Sequence, residues 1–240
     1  MPCTRAQRSK RSRSSPRSIT WWCSATRSTT RFCYGDAEFI PLATLVNGTL
    51  CATLAGLSKV YRACGYRVGW AVFSGELEGA REYLHALDKL SSLRLCSNVP
   101  GQWAVQTALG GFQSIQELTR PGGRLFQSRQ AILDGVAASQ YLHVCAPRGA
   151  MYAFIGVKEN ALPEFDDRRF AMDLLEHKHV LIAPGSSFNT SYKTHFRITN
   201  LPRPEVLAEV FRRMEELLDS YAAGAEPVSR PAPELKVVTK

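Results

Sequence analysis

Gly56-Leu57-Ser58-Lys59-Val60-Tyr61-Arg62-Ala63-Cys64-Gly65-Tyr66-Arg67-Val68-Gly69-Trp70 is a polar turn between two apolar runs, Leu50 to Leu54 before it and Val68 to Phe73 after it. The first run reads as a buried strand. A lysine at the end of such a strand can be held out of bulk water. Desolvation disfavours its ammonium form and frees an amine for Schiff-base chemistry. Arg67 follows eight residues later, a permanent cation whose fork of N–H donors suits a dianionic phosphate. Ser58 adds a hydroxyl donor. On its own Lys59 would read as a solvated surface lysine. Together the lysine, serine and arginine suit a phosphorylated carbonyl cofactor, of which pyridoxal phosphate is one.

Further phrases stand downstream in a fixed order. They are Arg94-Leu95-Cys96 with Asn98-Val99-Pro100, then Gln106-Thr107-Ala108-Leu109-Gly110-Gly111, then Pro121-Gly122-Gly123-Arg124-Leu125. Pro147-Arg148-Gly149-Ala150 and His195-Phe196-Arg197-Ile198 complete the series. With the lysine turn, these phrases make the chain from about Tyr34 to Tyr221 resemble the fold-type I, class I/II pyridoxal-phosphate-dependent aminotransferases, in the manner of the bacterial alanine aminotransferase group.

The resemblance implies an α/β fold: an incomplete fold-type I transferase with a remnant of the large-domain sheet and a C-terminal α+β small domain. It implies pyridoxal 5'-phosphate as cofactor, Lys59 as its covalent anchor and as the base that moves the substrate α-proton, and Ser58 and Arg67 as phosphate ligands. It further implies transfer of an amino group between an L-amino acid, alanine, and a 2-oxo acid, with 2-oxoglutarate and pyruvate as the oxo partners. A homodimer with shared active sites and a cytoplasmic location go with it. One departure lies in the turn: relatives often carry a second serine where this chain has Gly56. A larger one is upstream, where the resemblance implies a glycine-rich phosphate loop, a ring-stacking aromatic residue, an aspartate at the pyridine nitrogen and an asparagine at the phenolate oxygen. These are not recognisable here, so the chain as written is expected to have little or no transaminase activity.

Arg197 stands on an alternating stretch, Thr194 to Thr199, and reads as pointing the way core residues do. A buried guanidinium needs an anionic partner, either an internal carboxylate or a bound one. The resemblance implies the α-carboxylate of the substrate.

With 240 residues and 45% hydrophobic content the chain can bury a core, and no apolar run reaches the roughly 18 residues of a membrane span. The seven cysteines are scattered and include no Cys-x-x-Cys pair. A reducing compartment is therefore the simpler reading, with neither a disulfide framework nor a zinc site. His195 and the pair His177/His179 have no further ligand at metal-binding spacing and read as structural or solvated, so no metal is expected.

The net charge of +9 is uneven. Eight of the 30 basic residues, and no acidic one, lie in the first 35 positions, which leaves 22 basic against 21 acidic residues in the remainder. No nucleic-acid-binding field surrounds the body. Residues 1–33 admit three readings: a basic arm, a transit peptide, or a leader translated out of frame. The last is favoured. Codons for Ala25 to Phe32, shifted by two bases, can spell Asp-Glu-Ile-Tyr-Asp-Lys-Ile, the phrase such aminotransferases carry at this point.

The expected organisation is a leader over 1–33, the C-terminal part of a large cofactor-binding domain over 34–120, a small domain over 121–221 and a loose tail over 222–240. Leucines 77, 84, 87 and 90 predict a one-faced helix. Pro100 opens a second helix, and Arg124 to Ala138 is a third. Strands are predicted over 141–145, 151–157, 180–182 and 194–199. Asp166 is a predicted N-cap for a helix burying Phe170, Leu174 and Leu175, and Pro204 opens a last helix with Val206, Leu207, Val210, Phe211, Met214, Leu217 and Leu218 on one face.

Overall fold

The computed structural model describes residues 32–46 and 48–225 in full and Trp22–Ser24 in backbone. The remainder of residues 1–31, including all of the out-of-frame segment but Phe32, and the tail beyond 225 lie outside the described residues.

The first sheet has the order β1-β2-β3, from β1 (Trp22–Ser24), β2 (Cys51–Gly56) and β3 (Gly69–Ser74). β2 and β3 are antiparallel, with Gly56 opposite Gly69 at the mouth of the lysine turn. β1 runs parallel to β2. The leader sequence has no strand period, yet Trp22–Ser24 pair here, because a sheet edge offers its backbone groups to any extended segment regardless of side-chain pattern.

Helix α1 (Arg81–Leu93) lies over β2 and β3. Its leucine stripe is only half used: Leu84 and Leu87 face the sheet, Leu90 and Leu93 are exposed, and a cavity of about 650 Å³ separates the layers. Helix α2 (Val99–Gly110) opens on Asn98, whose Oδ1 accepts the Gly101 N–H. A short helix, α3 (Ile115–Thr119), precedes the Pro121-Gly122-Gly123 turn and was not predicted.

The second sheet is antiparallel throughout, in the order β4-β5-β7-β6, from β4 (Leu142–Val144), β5 (Tyr152–Val157), β6 (Ala183–Pro184) and β7 (His195–Thr199). Helices α4 (Arg124–Ala138), α5 (Asp167–Lys178) and α6 (Pro204–Ala222) cover one face. Strand alternation decides which residues meet them: Ala153, Ile155 and Val157 from β5 and Phe196 and Ile198 from β7 are buried against Ile132, Phe170, Leu174, Phe211 and Met214. Asp166 caps α5 as predicted, accepting the Arg169 N–H at 2.7 Å.

Three expectations fail locally. Val180 and Ile182 are buried, but the strand begins at Ala183. Leu175 and Val206 are exposed, because the inward rows of their helices run through Phe170 and Leu174 and through Leu207, Phe211 and Met214. A neighbour one residue off such a row is rotated out of it.

A smaller cluster joins the two sheets. Phe32, Tyr34, Val60, Ile115, Leu125 and Met151 pack together. Residues 32–34 run antiparallel to 148–150: Ala150 N–H donates to Phe32 O at 2.8 Å and Tyr34 N–H to Arg148 O at 2.9 Å. Tyr34 Oη donates to Ala150 O and accepts from Asn200 Nδ2. Phe32, at 1% exposure, is thus part of the folded body although the sequence reading placed it in the leader.

Candidate functional site

The lysine turn is pinned from inside. Leu57 and Val60 are almost fully buried, so Ser58 and Lys59 between them are forced outward. Leu57 N–H donates to Val68 O and Ala63 N–H to Leu57 O, which closes the loop on itself. Arg67 ends a short 3-10 turn with left-handed backbone, φ 51°. A non-glycine residue there costs about 1–2 kcal/mol, and such strain gathers at functional positions. Its guanidinium donates to Cys64 O at 2.7 Å.

Ser58, Lys59 and Arg67 line one cavity of about 520 Å³ with Phe32, Met151 and Tyr152. It lies where the mouth of the β2–β3 hairpin faces the segment joining the sheets. Gly56 and Gly69 let the hairpin close: a Cβ on Gly69 would sit 2.9 Å from Ala55 O. Two cations, two hydroxyl-bearing residues (Ser58 and Tyr152) and no carboxylate of the described residues line the cavity, and the rest of its wall is apolar or backbone. That donor set fits a phosphorylated aromatic aldehyde: cation and hydroxyl for the phosphate, apolar wall for the ring, amine for the carbonyl. One expectation is corrected. The Lys59 side chain is exposed rather than held out of water, because the described residues wall only part of the cavity.

Arg197 is also corrected. It alternates with Phe196 and Ile198, which are in the core, so it points to the opposite face of the sheet. There its guanidinium is stacked 4.5 Å from the Tyr152 ring centroid and 4.6 Å from that of Phe188. No carboxylate of the described residues pairs with it. Tyr152 joins the two halves of the site: its ring lines the Lys59 cavity and carries Arg197. Tyr152, Phe188 and Phe32 were missed in the sequence reading. An aromatic residue at alternate positions of β5, opposite the aliphatic core set, was the available signal for Tyr152.

Close by, burial pushes the Cys33 thiol up against the lowering effect of Arg148. Burial likewise raises the Tyr34 phenol, opposed by its hydrogen bond with Asn200. Neither is available as an anion beside the two cations.

The Arg67 turn is braced by α2. Asn98 Nδ2 donates to Tyr66 O at 2.6 Å, and a Cβ on Gly101 would meet Val68 Cγ2 at 2.5 Å. Asn98→Ala removes both the cap and the brace. It is expected to cost about 0.5–2 kcal/mol in a urea melt.

Residues 30–213 match the model of the family "Aminotransferase class I and II". The chain is 39% identical over 188 residues to the glutamate-pyruvate aminotransferase AlaA of Escherichia coli (strain K12), which covers 78% of this chain and 46% of that protein. It is 38% identical over 188 residues to an alanine aminotransferase of Mycobacterium bovis, covering 78% of this chain and 44% of the relative. Among solved structures, an aminotransferase from Escherichia coli superposes with a TM-score of 0.79 at 37% identity, over 82% of this chain and 49% of that one. Alanine aminotransferase from Pyrococcus furiosus gives 0.71 at 30% identity, over 81% and 48%. The chain thus spans about half the length of the relatives it matches, and within that span the turn, the cavity and the two-sheet frame have one common source: this chain belongs to the class I and II aminotransferase family.

Proposed function

We propose that this chain carries the lysine-bearing part of a transaminase site that moves an amino group between an L-amino acid and a 2-oxo acid, with alanine, pyruvate and 2-oxoglutarate as substrates. The observation that supports it is the single cavity shared by Ser58, Lys59 and Arg67, in a chain similar to a glutamate-pyruvate aminotransferase. Pyridoxal 5'-phosphate is the cofactor this reading requires. Bound, it would act as an electron sink for the substrate α-carbon. Lys59 would hold its carbonyl covalently, and Arg67 and Ser58 its phosphate. Freed by the incoming amine, the Lys59 Nζ would take the α-proton and return it. Arg197, its guanidinium held over the Tyr152 and Phe188 rings, would take the substrate carboxylate through two parallel N–H bonds. A homodimer and a cytoplasmic setting belong to the same reading; no helix among the described residues is long and apolar enough to cross a membrane.

A second reading, a non-catalytic fragment, is favoured by the exposure of Lys59, since a site open to solvent does not exclude water from the reaction. Pyruvate formation from alanine and 2-oxoglutarate, with pyridoxal phosphate added, separates the two. Turnover that disappears in Lys59→Ala supports the transaminase. Turnover equal to that of Lys59→Ala, with cofactor still captured by the unaltered chain, supports the fragment.

A further inference from the structure

Asp167 is a carboxylate that the proposed reaction does not use. It stands in the first turn of α5 and is 1% exposed. No ion pair of the described residues includes it. A carboxylate taken out of water without a cation is costly unless hydrogen-bond donors hold it. Its donor comes from outside its own helix. The Ser186 N–H gives Asp167 Oδ2 a bond of 2.6 Å, short as a charged acceptor makes it. Ser186 belongs to the 3-10 turn Gly185–Phe188, which follows β6. The carboxylate therefore ties α5 to that turn, and Arg168 Nε adds a second tie to Ser186 Oγ at 3.1 Å.

The turn carries Phe188, one of the two rings against which the Arg197 guanidinium rests. The other, Tyr152, is placed by the β5–β7 register, opposite Thr199. Phe188 belongs to no strand, so its ring is placed by the turn. Gly185 seats the turn on the sheet: a Cβ there would lie 2.5 Å from His195 O and 3.0 Å from Phe154 Cζ. The Phe188 ring then meets the Phe154 ring edge-on at 6.3 Å and the guanidinium at 4.6 Å. A shift of the turn would leave Arg197 on Tyr152 alone and return rotamer freedom to a long side chain.

We propose that Asp167 is a positioning residue for Arg197: by holding the Gly185–Phe188 turn it keeps the Phe188 ring against the guanidinium, so that the N–H fork is ordered before a carboxylate arrives. The role rests on the reading of Arg197 as the carboxylate ligand. A fork ordered in advance has less freedom to lose on binding, and the difference shows as affinity. Asp167 touches no substrate and acts through Phe188. Were it only a brace for α5, its loss would lower stability and leave the affinity at Arg197 where it was.

The full chain is modified with phenylglyoxal over a range of pyruvate concentrations, and Arg197 is followed by peptide mass analysis. Pyruvate is expected to protect Arg197, and methyl pyruvate, which has no carboxylate, is not. The half-protecting pyruvate concentration is expected to rise about tenfold in Asp167→Ala and in Phe188→Leu, and no further in the double variant, because both substitutions remove the same contact. Asp167→Asn keeps an oxygen for the Ser186 N–H and is expected to stay within about threefold of the unaltered chain. If Asp167→Ala does not fold, Ser186→Pro removes the same bond from the donor side and takes its place. No protection by pyruvate in the unaltered chain overturns the carboxylate reading of Arg197, and this proposal with it. Protection that is present but unchanged by loss of the Asp167–Ser186 bond or of the Phe188 ring, or effects that multiply in the double variant, overturns the positioning role alone.

Discussion

Phe196→Ala is expected to lower the stability of the second sheet and its helices by about 3–5 kcal/mol, the range for emptying a fully buried aromatic site. The ring has 0% exposure, lies 5.2 Å from the Phe170 centroid, and stands on β7 directly opposite Ile155 of β5. Its neighbours come from β5, α5 and α6, none of which can move in without giving up its own contacts. Trp103 on α2 is a larger ring but 73% exposed, so Trp103→Ala is expected to change stability by only about 0.5 kcal/mol. Urea melts followed by circular dichroism, with hydrogen exchange at β5 amides to localise the loss, test the contrast. Equal effects of the two substitutions would mean that the Phe170–Phe196 core is not what holds the sheet.

Lys59→Ala is expected to abolish covalent capture of pyridoxal phosphate. Of the groups lining the cavity only Lys59 carries a primary amine, and only a primary amine forms an imine with an aldehyde that borohydride fixes. The substitution removes an exposed side chain from a turn held by Leu57 and Val60, so the melting profile is expected to be unchanged. Mass analysis of the reduced protein reads the result: an adduct on the peptide containing residue 59 in the unaltered chain, and none at that peptide in the variant. An adduct distributed over surface lysines, unchanged by the substitution, would remove Lys59 from its role.

The lysine turn was legible in the sequence because its chemistry is contiguous. Ser58, Lys59 and Arg67 lie within one loop, and the flanking apolar runs announce the hairpin that closes it. Legibility stopped where a contact depends on the pairing of distant strands. The alternation around Arg197 was read correctly, but its face was not: period two says that Phe196 and Arg197 are opposed, not which of them is inside. Tyr152 joins cavity to guanidinium only through the β5–β7 register. The leucine stripe of α1 was real as a pattern, yet what a stripe packs against is not written in the helix itself, and Leu90 and Leu93 remain exposed. The solvation of Lys59 failed as an expectation for the same reason, since burial of a turn residue is set by whatever lies across from it.

In the proposed site one ligand is held jointly by the Lys59 amine and the Arg67 guanidinium. Arg67→Gly isolates it. Glycine accepts the left-handed backbone at no steric cost, so the turn keeps its shape while the cation is lost. The measurement is the rate of borohydride-fixed adduct formation at Lys59 with pyridoxal phosphate against unphosphorylated pyridoxal. The phosphorylated aldehyde is expected to be captured at least tenfold faster by the unaltered chain, and the preference is expected to fall to near unity in Arg67→Gly. Equal capture of the two aldehydes by the unaltered chain, or a preference that survives Arg67→Gly, would contradict it.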